Sequence, residues 1–165
     1  MLSLTDDDFK ILKLVTINDL GECMKQTSQN DFRIPRIKPE AVASQFECDH
    51  DLDIAKELAF QFIKTNEEGF SLDEVLDWLA KGAKPEPCRD LRVIYCVARA
   101  LARNESVRHT FNVYLPHRVY ADSIPSLAYF HYNPENTKGI VSDVEIVPEP
   151  KDFDKDSWFI GAKIQ

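Results

Sequence analysis

Hydrophobic positions recur at two different periods along this chain, and the change of period divides it. Leu52, Ala55, Leu58, Ala59, Phe62 and Ile63 fall at helical spacing and predict a helix over that stretch. A turn at Gly69 follows, then a second helix with a clear start. Ser71 can cap it, and Glu74 three residues later completes the capping-box pattern. Leu72, Val75, Leu76 and Leu79 make one apolar face, and Gly82 is a good stop. After K-P-E-P, Pro87 opens a third helix that runs to about Arg103, with Leu91, Ile94, Ala98 and Leu101 turned inward.

Beyond Asn104 the period becomes two. H-T-F-N-V-Y-L alternates and is rich in β-branched and aromatic residues, which predicts a strand. S-L-A-Y-F-H-Y predicts a second strand able to pair back on it, across the irregular loop P-H-R-V-Y-A-D-S-I-P. I-V-S-D-V-E-I-V and S-W-F-I-G-A-K-I predict two more strands, joined by the acidic, proline-rich P-E-P-K-D-F-D-K-D. At the other end, Thr5 with Asp8 can cap a helix through Phe9, Leu12, Leu14 and Val15 to about Met24, although F-K-I-L-K-L-V-T-I also fits a strand. Residues 26–38 read as an extended connector, and Pro39 opens a short helix over E-A-V-A-S-Q-F.

Helices first and strands second is the order of an α+β protein. The expected architecture is a set of N-terminal helices, a central three-helix unit and C-terminal antiparallel strands. Residues 1–48 form the N-terminal helical segment and connector, 49–132 the core and 133–165 the β extension, all within one compact domain. Three helices followed by strand, loop and strand over residues 50–132 resemble the winged helix-turn-helix superfamily. Within it, F-S-L-D-E-V-L-D-W-L and A-Y-F-H-Y are faintly similar to a helix and the last strand of DEP domains. The insertion such domains often carry between their first two helices is absent. The resemblance implies a third helix able to enter a DNA major groove, and a fold alone does not choose a function.

The length of 165 residues allows one domain that buries roughly 70% of its unfolded surface without staples. The N-terminus is acidic where a signal peptide would be basic, and no apolar run reaches bilayer length, so a cytosolic chain without a membrane partner is expected. Cys23, Cys48, Cys88 and Cys96 form no C-x-x-C pair and are expected to be free, mostly buried thiols.

The net charge of −8 hides a polarity. Lys81 to Arg118 holds eight basic residues against three acidic ones, so that window carries +5 and the rest of the chain −13. On a helical wheel, Arg89, Arg92, Arg99 and Arg103 share an arc of about 80°, away from Ile94, Ala98 and Leu101. With Arg108 and Arg118 they are the candidate binding residues. An arginine face of this kind reads DNA, meets an acidic protein, or is neutralised by acids elsewhere in the fold.

Candidate chemistry is thin. Cys48-Asp-His50 with Asp51 and Asp53 is the densest group of metal-ligating types, but an N-cap explains it more simply than a metal site. Cys96 beside arginines, with His109 or His117, is the only Cys/His arrangement to consider for catalysis. No phosphate-cradling, dinucleotide, nucleophile-elbow or zincin motif is present, so no cofactor is expected. The sequence therefore points to a non-enzymatic protein-interaction module, a regulator, adaptor or inhibitor of the immunity-protein kind. A DNA-binding regulator is the alternative and a Cys/His enzyme the weaker one.

Overall fold

The computed structural model describes residues 9–18, 42, 44–47, 57–65, 67–81, 86–102, 110–135 and 144–162. In chain order these form β1 (Phe9–Asn18), β2 (Glu57–Thr65), α1 (Leu72–Leu79), β3 (Glu86–Pro87), α2 (Leu91–Ala102), β4 (Phe111–Tyr114), β5 (Val119–Ala121), β6 (Ile124–Tyr132), β7 (Glu145–Pro148) and β8 (Ser157–Ala162). Eight strands and two helices among the described residues overturn the expectation of N-terminal helices leading into a three-helix unit. The molecule is mostly sheet.

All eight strands belong to one mixed sheet. β1 pairs with β2 and β2 with β8, both antiparallel, while β8 runs parallel to β4. β6 pairs antiparallel with β4 and β5 along one edge. β7 takes the opposite edge, because Ser126 and Tyr129 each face one residue of β7 and one of β5 or β4. The C-terminal strand thus sits inside the sheet, between β2 and β4. Short β3 continues the β4 side of β8, with Pro87 opposite Gly161.

Both regions misread as helix show why the reading failed. Phe62 and Ile63 are adjacent in β2, and both are fully buried. Consecutive buried residues arise when a strand is covered on both faces, and the resulting continuous apolar run imitates helical spacing. Phe9–Asn18 took its strand alternative. Leu14 is a one-residue bulge there, between Lys13 opposite Gln61 and Val15 opposite Phe60, and it shifts the alternation that would have marked the strand. With 57–65 extended, the three-helix order behind the winged-helix resemblance is reduced to two helices.

The C-terminal strands and α1 form where the sequence places them. Glu74 N donates to Ser71 Oγ at 3.3 Å, and the Ser71 hydroxyl donates to Glu74 Oε1 at 3.3 Å. Gly82, the expected stop, lies outside the described residues, as do most of 1–56. α2 starts at Leu91 rather than Pro87, because Pro87 is held in β3 and Cys88 N donates to Ile160 O at 3.2 Å. Asp90 caps it instead, its Oδ1 accepting from Arg92 N at 3.0 Å.

Each helix covers one face of the sheet. α2 packs Leu91, Ile94, Val97 and Leu101 on Phe62, Phe111, Val113, Phe130, Trp158 and Ile160. Phe111 and Trp158 stack there with centroids 3.9 Å apart. α1 packs Leu72, Val75, Trp78 and Leu79 on Ile63, Tyr114, Leu127 and Phe159 of the other face, joined by Phe70 and Phe153. Alternate residues of β4, β6 and β8 enter opposite layers, and each fully buried Phe, Leu or Ile contributes roughly 1.5–3 kcal/mol.

Candidate interaction surface

Among the candidate arginines whose side chains are described, Arg89, Arg92 and Arg118, each is engaged by an acid. Arg92 is buried at 7% exposure, beside Asp90 at 3%. Its guanidinium grips Asp90 with a fork, Nε to Oδ1 at 3.1 Å and Nη2 to Oδ2 at 2.7 Å. Cys96, which shares the wheel arc of the stripe, is also buried at 1%. The stripe side of α2 is therefore covered at Arg92 and Cys96, and at Arg92 it is neutralised by Asp90. Two residues apart, Asp90 and Arg92 cannot meet along a continuous helix. They meet because Asp90 is the cap, with its carboxylate folded over the first turn.

Arg118 lies off the helix, just before β5. Its Nε donates to Glu149 Oε1 at 2.6 Å, its Nη2 to Glu149 Oε2 at 3.0 Å, and its Nη2 also to Asp73 Oδ1 at 3.1 Å. The hydrogen bond to Glu149 is the main cause holding this guanidinium above its ordinary pKa, so Arg118 stays charged and clamped. Arg89 precedes α2, is exposed, and reaches Glu47 at 3.4 Å. Arg99 lies in α2, where its backbone alone is described, and Arg103 and Arg108 lie outside the described residues. Of the six, only Arg89, Arg92 and Arg118 have described side chains, and these three lie apart on different acids.

The Cys/His idea meets similar geometry. Cys88 and Cys96 are buried. The His117 ring lies against Phe46 with its Nε2 2.7 Å from Gln45 O, and His131 Nδ1 is 2.8 Å from Asn112 Oδ1. His109 and the Cys48–Asp53 group lie outside the described residues.

The outward charge is acidic instead. Among the described residues, Glu47, Glu68, Asp73, Asp77, Asp122, Glu135, Asp152, Asp154 and Asp156 are exposed acids, against the exposed bases Lys81, Arg89, Lys151 and Lys155. Several of these acids gather over one face of the sheet. α1 presents Asp73 and Asp77, and a bridge between Phe70 and Phe153 ties the 150–156 loop beside Glu68. Asp154 acts inward as well. Burial, joined by Tyr129 and then by the Asp154 carboxylate, pushes the Tyr114 phenol up to about 12.

A second exposed feature replaces the irregular loop expected over residues 116–125. β5 and β6 form a hairpin around Asp122 and Ser123, both with positive φ, at 50° and 68°. Two central residues with φ above zero are what a tight two-residue hairpin of type I′ needs. Tyr120 (53%) and Ile124 (51%) on this hairpin are the exposed large hydrophobics among the described residues. The available signal was V-Y-A before and I-P-S-L after the dipeptide D-S, a strand–turn–strand pattern without the usual glycine.

Comparison of the chain with protein-family models, with curated proteins and with solved structures finds no match, so the functional reading rests on the molecule's own surface.

Proposed function

We propose that this chain is a non-enzymatic protein-interaction module, a cytosolic regulator, adaptor or inhibitor of the immunity type, that offers an acidic surface to a basic partner. The observation that carries this reading is the fate of the charges. Arg92 and Arg118 are spent on Asp90, Glu149 and Asp73, while among the described residues nine exposed acids, Asp73 included, stand against four exposed bases. An exterior of that sign steers association with a cationic protein and repels phosphate backbones. Among the described residues no helix is long and apolar enough to cross a membrane.

The DNA-binding reading loses support at Arg92, because a buried guanidinium bound by a carboxylate on two atoms is not presented to a phosphate or a guanine edge. Binding to random-sequence duplex DNA at low and at physiological salt separates the two readings. The expected result is no retention even at low salt. Affinity capture from the native lysate then tests the leading one. The partner should bind the wild type and elute with salt, and charge reversal at Asp77→Lys with Asp152→Lys should lose it. A monomer that captures nothing, or that binds DNA with a steep salt slope, would sink the protein-binding reading.

A further inference from the structure

We infer that the β5–β6 hairpin is the element that enters the partner, and that its occupant is a cleft in a basic protein, apolar within and lined with lysine or arginine at its rim. The inference rests on the protein-binding reading and names the contact point. From Tyr120 to Pro125 every residue but Ala121 is exposed. Tyr120 lies opposite Pro125, and Ile124 lies opposite Ala121. Residues on a strand alternate sides, so Tyr120 and Pro125 share one face of the ribbon and Ile124 takes the other. Val119 and Ala121 anchor the ribbon in the core, so only its tip is open on both sides. Apolar groups on both faces of that tip are covered together by a cleft that straddles it, and a flat surface would leave one face wet. Asp122 stands exposed at the turn between them, where a cationic rim would meet it.

The hairpin is held in shape before any partner arrives. Gln45 Nε2 donates to Tyr120 O at 2.9 Å, and Tyr120 N donates to Gln45 Oε1 at 2.7 Å. One side-chain amide thus takes the main-chain donor and acceptor that β5 turns away from β6. Strand addition at this edge is blocked, so recognition goes through side chains. His117 bonds the Gln45 carbonyl, and Arg118 ties the base of the hairpin to Glu149 and to Asp73 of α1. That last link makes the hairpin continuous with the acidic layer. A braced hairpin loses little conformational freedom on binding, and tyrosine supplies a large contact with few rotors.

The test places the photo-crosslinker p-benzoylphenylalanine at position 120, 124, 77 or 135 of the full chain in cells of its native source, with adducts identified by mass spectrometry. Position 135 is an exposed control in the turn after β6. The expected result is one and the same basic protein crosslinked from 120 and from 124 and none from 135, with Asp122→Lys cutting the yield at 120 by about fivefold or more. An adduct of twice the chain's own mass would make the hairpin a self-contact and overturn the inference. So would a partner of acidic or neutral charge, or equal yields from 135. A partner crosslinked from 77 but not from 120 or 124 would overturn the inference and leave the protein-binding reading intact. No adduct at any position, together with no salt-sensitive capture by the wild type, would overturn both.

Discussion

The two helices look alike on a wheel and end in opposite situations. α1 buries Leu72, Val75, Trp78 and Leu79 and leaves Asp73 and Asp77 in water. α2 is buried at every position from Leu91 to Ala98 except half-buried Tyr95. The sheet covers one side of α2, and Val42 and Phe46 pack into the same core. The difference teaches that a charged stripe is a surface only if nothing packs over it. On α1 the polar face meets solvent and is available to a partner. On α2 its first arginine became part of the interior and had to bring an acid with it.

The comparison breaks most sharply at Asp90. Asp90→Ala leaves the Arg92 guanidinium buried without its carboxylate, and unfolding by denaturant should show a loss of about 3–5 kcal/mol. The paired change Asp90→Leu with Arg92→Met should recover most of that loss, because the cost lies in one stranded charge. A loss under about 1 kcal/mol for Asp90→Ala would mean that water reaches the start of α2, and the arginine face would be open after all.

Next in size is a pH effect beneath α1. The Tyr114 phenol ionises near 10.0 when unfolded and at about 12 when folded. Its contribution is therefore whole below pH 10 and is lost as pH rises through 12. Two units at about 1.4 kcal/mol each bound it, and partial solvent contact lowers the expectation to about 2 kcal/mol. Stability measured between pH 9 and 12 should fall less steeply in Tyr114→Phe. Equal slopes would mean that the α1 layer is not dry above the sheet.

Ser71→Ala tests the start of α1 and should cost about 1 kcal/mol, read by thermal or chemical unfolding. Smallest of all, Asp77→Lys should shift stability by no more than about 0.5 kcal/mol in either direction. A larger loss would show Asp77 engaged within the fold and so unfit as a contact for a partner.

Legibility followed the reach of the interactions involved. The Ser71–Glu74 cap was readable because its atoms lie within one turn. β4, β6 and β8 were readable although they too feed both layers, because they are dense in aromatic and β-branched residues and are bounded by turn residues, which are local signals. β2 was not, since its two-faced apolar run continues Leu52 and Ala55 at helical spacing and no turn-forming glycine or proline separates them. The candidate surface was least legible. Nothing near Arg118 in sequence announces Glu149, 31 residues on, or Asp73, 45 residues back. Tyr120 falls in a stretch that reads as irregular loop, and its exposure between buried Val119 and Ala121 follows only from the hairpin.

The sequence by itself determined the acidic balance, the helix beginning at Ser71, the strands of the C-terminal third and the absence of catalytic motifs, because each depends on composition or on near neighbours. The tertiary structure alone decided that the last strand lies inside the sheet, that residues 57–65 extend, that Arg92 is interior and that the tip of the hairpin, Asp122 to Pro125, is exposed. Those outcomes turn on which surfaces come to cover which. Coverage is set by contacts between residues far apart in the chain, and periodicity does not carry that information.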